Sequence, residues 1–162
     1  MPKEQALALH RYFQNKRAII ATFADVFRDA QYNAISYCLE LRLRGASWKE
    51  VVRNYMLMLS TGIIDETWIA PAHLAIRSDR GLKERHELLL DEISEQFVLL
   101  LRSFRMQLSD ARILQKSRML ILFFDSYMLS MGRLMYDRHA MVQKDYEEVI
   151  FAFLESYLQD EV

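Results

Sequence analysis

The chain has 162 residues, of which 52% are hydrophobic and 27% charged, with a formal net charge of -1. This balance excludes a disordered or fibrous polypeptide and a chain that binds nucleic acid by overall positive charge, and it suits one well-buried domain. Four Gly and two Pro in the whole sequence leave little room for the turns of an all-β fold and favour long helices.

Taken in chain order, the punctuation divides the sequence into about seven helices. Lys3 to Phe13 forms a short helix. Asn15 is placed to cap a long one from Lys16 to about Arg44, which Gly45 ends. Ser47 opens the next helix with Glu50 three residues on, the form of a capping box; it runs to Thr61 and stops at Gly62. Asp65 starts a segment holding Trp68, with Pro71 near its first turns, and Gly81 breaks the chain again. From Leu82 to Met106 the apolar residues Leu82, Leu88, Leu89, Ile93, Phe97, Leu100, Leu101 and Phe104 recur at helical spacing, with Glu84, Arg85, Glu87, Asp91, Glu92 and Glu95 on the other side. Ser109 caps a helix to about Asp137. A last helix, Val142 to Leu158, carries Tyr146, Val149, Ile150, Phe153 and Tyr157 on one face. No segment alternates apolar and polar residues for long enough to form a strand, so the expected class is all-α.

The single Cys38 excludes an intrachain disulfide and fits a reducing compartment. The N-terminus lacks the continuous apolar run of a signal peptide. The most apolar stretch, Met119 to Gly132, contains Asp125 and falls short of the ~20 residues that span a bilayer. A soluble, cytoplasmic protein without a membrane partner is expected.

Catalytic chemistry has little support. His10, His73, His86 and His139 are widely spread along the chain. There is no HExxH, no pair of Glu-x-x-His motifs, no Gly-rich phosphate loop and no G-x-S-x-G elbow. Cys38 reads as a buried thiol, and Asp91, Glu92 and Glu95 as a solvated helix face. The expectation is a non-enzyme without cofactor or metal. Asp125 stands out, because a carboxylate inside an apolar run needs a partner or its pKa rises. It could accept from Tyr or Arg, contact a ligand, or lie on a wet edge of its helix.

The residues Ala8 to Ile20, ALHRYFQNKRAII, resemble the end of the DNA-binding head of the TetR family, on Leu9, Tyr12, Phe13, Asn15, Lys16, Ile19 and Ile20. Downstream, Arg77, Asp79 and Leu82 resemble the family's Arg-x-Asp-x-x-Leu turn. Asp125 and Ser126 fall where its penultimate helix carries an Asp-Gly pair. The family head has three helices and the resemblance begins in the third; Glu4 departs from the pattern at a position usually apolar. The resemblance implies residues 1–15 as the recognition-helix remnant of the head and 16–162 as a ligand-binding and dimerisation domain.

Carried over by position, Ala6, Ala8, His10 and Tyr12 would face the major groove and Lys16 a phosphate. Without the other head helices, weak or absent operator binding is expected, and the same helix also reads as a solvated amphipathic one. The resemblance further implies an effector cavity between the middle helices, lined by Phe27, Tyr55, Met58, Leu59, Trp68, His73, Phe97, Phe124, Asp125, Tyr127 and Met131. Such a lining suits a small hydrophobic or aromatic effector, although each side chain also reads as packed core. The last two helices carry more apolar surface than one core-facing stripe requires, and would form a four-helix homodimer interface through Met128, Met135, Tyr146, Val149, Ile150, Phe153 and Tyr157. The implied function is a transcriptional regulator, a repressor by analogy, released by its effector. The alternative is a free-standing helical dimer that binds a small molecule or heterodimerises with a relative.

Overall fold

The computed structural model describes residues 16–65, 69–78, 80–131 and 138–158. Among them are six helices and no strand: α1 (Lys16–Leu43), α2 (Trp48–Asp65), α3 (Ile69–Ser78), α4 (Arg80–Ser103), α5 (Asp110–Met131) and α6 (His139–Glu155). The all-α expectation therefore holds. The expected Lys3–Phe13 helix and the Asn15 cap lie outside the described residues.

Local sequence sets several of the boundaries. α1 ends where Gly45 adopts φ +92, a left-handed conformation that costs a side chain nothing only when there is none. The Gly45 amide then donates to the Arg42 carbonyl at 3.0 Å and the Ala46 amide to Leu41 at 3.1 Å, the paired bonds of a Schellman end. Ser47 follows at once. Its amide donates to Glu50 Oε2 at 2.8 Å and the Glu50 amide donates to Ser47 Oγ at 3.3 Å, so the capping box forms as the spacing predicts.

Elsewhere tertiary packing moves the ends. Gly62 does not stop α2, which continues to Asp65; one glycine costs a helix only about 1 kcal/mol, too little to break one packed along its length. Gly81 lies within the first turn of α4, so the break falls before Arg80 rather than after it. α4 itself ends at Ser103, where Arg105 turns to φ 57. α5 is described as far as Met131, and the expected continuation to Asp137 lies outside the described residues.

The core runs through the middle of the bundle. α4 packs on α1, α3 and α5, and α5 packs on α2, α4 and α6. Leu89, Ile93, Phe97, Leu100 and Leu101 of α4 are buried as its periodicity requires, but Leu88 is 69% exposed. Leu89 and Leu90 together take the inward face, and Leu88, about 100° beyond Leu89 on the side away from Leu90, falls outside it. The centre is aromatic: Tyr55 lies 5.1 Å from Phe97 and 4.6 Å from Phe124 between ring centroids. The Tyr55 hydroxyl donates to Gln31 Oε1, and Gln31 Nε2 donates to Met128 Sδ at 3.6 Å, so α1, α2 and α5 share one buried polar string. Burial, then the neighbouring Cys38, pushes the Tyr55 hydroxyl well above its usual pKa. α6 is fastened to α2 by Arg53–Glu147 at 3.2 Å and Lys49–Glu155 at 2.6 Å.

A Cβ at Gly45 would meet no atom within 4 Å, so only the backbone opposes a side chain there. Gly45→Ala should lower stability by about 1–2 kcal/mol, read as a shift of the urea midpoint with no change in slope. An unchanged midpoint would mean that the left-handed turn is not what ends α1.

Candidate functional site

The Asp125 carboxylate is the most constrained polar group in the bundle. Its helix carries Leu120, Ile121, Phe124, Tyr127 and Met128 inward, and Asp125 goes in with them, at 2% exposure. A bare carboxylate there would cost several kcal/mol. Three side chains from two other helices meet it. His73 Nε2 of α3 lies 2.8 Å from Oδ1, and His86 Nε2 of α4 lies 2.9 Å from the same oxygen. Arg77 Nη1, one helical turn beyond His73, reaches Oδ2 at 3.4 Å. Burial raises the carboxyl pKa, but the close approach of His73 and His86 and their electrostatic attraction outweigh it, and the group is held well below the usual carboxylate range. Asp125 is therefore ionised, and it occupies no wet edge of its helix.

The two imidazoles are not equally served. His86 Nε2 makes an aligned hydrogen bond to Oδ1. His73 Nε2 is as close, but the carboxylate lies off its N–H direction, so this fully buried nitrogen has no aligned partner. His86 Nδ1 also lacks one. Both rings stand against Phe27 and Phe23 of α1, with centroid separations from 5.4 to 6.2 Å, and against each other at 5.1 Å. The result is a small buried polar cluster of two imidazoles and a carboxylate behind an aromatic wall. All three donor atoms lie within 4.8 Å of one another, which is within the span of a single bound ion.

Of the residues expected to contact an effector, this cluster brings together His73, Asp125 and Phe27. Tyr55, Leu59, Phe97, Phe124, Tyr127 and Met131 are buried elsewhere in the core and Met58 partly so. Phe97 and Phe124 lie 5.7 Å apart and, with Tyr55, fill their space with one another. Trp68 lies outside the described residues. His86 and Phe23 are the members that sequence reasoning missed. His86 sits in a charged stretch, Lys83 to Glu87, with nothing local to mark it. Only its position seven residues before Ile93, two turns along the buried face, signals that it points inward. An open groove of about 280 Å³ lies between α4 and α5, lined by Glu87, Leu90, Asp91, Ser94, Arg118 and Leu122; none of the expected effector residues faces it.

The expected DNA-contacting residues Ala6, Ala8, His10 and Tyr12 lie outside the described residues, and Lys16 is described only as the first residue of α1. Among the expected interface residues, Met128 and Ile150 are buried within the chain itself. Tyr146 packs on Tyr127, and Phe153 lies between Phe123 and Tyr157. Val149 is 52% exposed, and Met135 lies outside the described residues. Cys38 is fully buried, with its thiol directed to the Val51 carbonyl at 3.5 Å, and burial pushes its pKa up to about 12.

Comparison of the chain with models of protein families, with curated proteins and with solved structures returns no match. The reading of the site therefore stands on its geometry.

Two outcomes follow. Removing only the carboxylate, as in Asp125→Leu, should destabilise by about 3 kcal/mol, because two buried imidazoles lose their acceptor. Replacing the whole cluster, as in His73→Phe with His86→Leu and Asp125→Leu, should recover most of that loss, since apolar packing substitutes well for a buried polar set. If the triple variant is instead the less stable of the two by chemical denaturation, the cluster serves the fold rather than a ligand. Separately, the Cys38 thiol should resist alkylation in the native state and react fully in denaturant; equal rates in both would contradict its burial.

Proposed function

We propose that this chain is the effector-binding and dimerising part of a TetR-type transcriptional regulator, with the effector received at His73, His86 and Asp125. The observation that carries the reading is the buried polar cluster itself: four polar side chains from three helices gathered in an apolar bundle. Such a set is hard to account for by stability alone, since a hydrophobic replacement costs little. Its ligand would be one that coordinates or accepts hydrogen bonds, rather than the purely apolar effector that a lining of core aromatics suggests.

The position of α1 supports the regulatory part of the reading. α1 presents Phe23 and Phe27 to the two imidazoles, and its N-terminal end continues into the residues that resemble a recognition helix. A change in the cluster therefore has a short mechanical route to the head. The effector need only bind one placement of α1 better than another; its differential affinity sets the limit of regulation.

The final two helices supply the surface for a partner copy. Met119 and Leu122 of α5 and Val149 of α6 are exposed apolar side chains, and Ser126 lies one turn beyond Leu122. These exposed side chains support a homodimer contact on the outer faces of α5 and α6, centred on Val149, Phe153 and Leu122. A charge at Ile150, which is fully buried, would break the fold and report nothing about assembly. The informative variant is Leu122→Glu.

Joined to an unrelated DNA-binding head that grips its operator only as a dimer, the chain should restore repression. Leu122→Glu should abolish it and weaken the dimer about thirtyfold by light scattering, the effect of losing one central contact worth about 2 kcal/mol. If the head stays inactive behind a well-folded wild-type chain, dimerisation and the regulator reading fail together.

A further inference from the structure

Two imidazole nitrogens and one carboxylate oxygen converge on a common point from α3, α4 and α5. His73 Nε2 and His86 Nε2 lie 2.8 and 2.9 Å from the same Asp125 Oδ1. A single oxygen seldom serves two buried imidazole donors well, and here it does not: His73 Nε2 has no aligned partner although the ring is 1% exposed. An orphaned buried nitrogen is destabilising, and that cost disappears when the ring carries its proton on Nδ1 and gives the bare Nε2 lone pair to a cation. We propose that His73, His86 and Asp125 bind one divalent transition-metal ion of the zinc class through the two Nε2 atoms and Oδ1. The proposal rests on the reading of this cluster as the effector site and names the effector.

The donor set selects the ion. Two neutral imidazoles and one carboxylate are borderline ligands that suit Zn²⁺, with Co²⁺, Fe²⁺ and Ni²⁺ as close competitors, and are too few in oxygen for Ca²⁺. Three protein ligands leave a coordination position for water or an exchangeable group, the pattern of an open site rather than a closed structural one. Arg77 occupies Oδ2 and so turns Oδ1 toward the nitrogens, the orienting role of an outer-shell partner. Its side chain is 39% exposed, so solvent screens its charge from the ion. His86 Nδ1 has no acceptor; lacking that support, the site should bind reversibly, as a sensor must, rather than lock the ion in place.

Ion binding also moves the cluster. Ligands held by bonds of about 2.0–2.1 Å at tetrahedral angles stand about 3.3 Å apart. The nitrogens here are closer to Oδ1 than that by about 0.5 Å, so the metal would part α3 and α4 from α5. Phe23 and Phe27 stand directly behind both imidazoles, and α1 is the element the expansion pushes. The metal would thus favour one placement of α1 by its own bonds, which is the differential affinity that regulation requires.

Titration of the metal-free full chain with Zn²⁺ by calorimetry should give one ion per chain, and Co²⁺ should produce visible absorption bands at the same stoichiometry. His86→Gln and His73→Gln should each weaken Zn²⁺ binding more than about a hundredfold, beyond what loss of an outer-shell partner costs, while the double control His10→Asn with His139→Asn leaves it unchanged. X-ray absorption of the wild-type zinc complex needs no variant and should show two imidazoles in the first coordination sphere. No binding at equimolar Zn²⁺, binding indifferent to both glutamine variants, or a zinc shell with fewer than two imidazoles would overturn the proposal. Should the ion fail to bind while the hybrid regulator still represses as a dimer, only the metal assignment falls. Should repression fail while the ion binds with two imidazoles, the regulator reading falls and the metal site stands.

Discussion

One buried charge organises this bundle. Asp125 projects from an apolar helix into an apolar interior, where an unpaired carboxylate costs more than most single contacts return. Its own helix offers no neutralising group within one turn on either side, so the partners must come from elsewhere in the chain. They come from α3, which supplies His73 and Arg77 one turn apart, and from α4, which supplies His86. Because His73 and His86 both seek the same oxygen, the rotation of α3, the register of α4 and the depth of α5 are fixed together. The apolar contacts around the site could tolerate a small slide of any one helix; the carboxylate cannot.

Features governed by near neighbours are legible in the sequence alone. The left-handed Gly45 and the Ser47–Glu50 box are encoded within a few residues, and both form as that local pattern predicts. The inward face of α4 is legible too, apart from Leu88, which falls just outside the arc that Leu89 and Leu90 occupy. Features that depend on the sum of packing are not. Gly62 looks like a stop because a glycine weakens a helix locally, yet the penalty is small beside the burial of Val51, Val52, Tyr55, Met56 and Leu59 along the same helix.

The site falls between these cases. Asp125 announces itself as a charge inside an apolar run, and its need for a partner follows from electrostatics alone. The identity of the partners does not. His73 and His86 are thirteen residues apart, on different helices, and a spacing rule for metal or catalytic histidines assumes a single helix or turn. Read along the sequence they are scattered; read in space their rings are 5.1 Å apart. The aromatic residues expected to line a cavity share only a residue type, and type does not separate Phe27, which faces the imidazoles, from Phe97 and Phe124, which face each other.

The same contrast bears on assembly. A helix that is apolar nearly all round leaves apolar side chains outside whichever way it turns, and the division is set by which side holds the buried charge. Asp125 turns inward, so Leu120, Ile121, Phe124 and Met128 go with it, and the side left over is Met119, Leu122 and Ser126. On α6, Ile150 and Leu154 face the core, and Val149 remains outside. The carboxylate that fixes the site therefore also fixes which residues of α5 are free to meet a second chain. A metal at Asp125 and a partner copy at Met119, Leu122 and Ser126 would act on adjoining faces of one helix, about 90° apart, and α5 is the element through which each would sense the other.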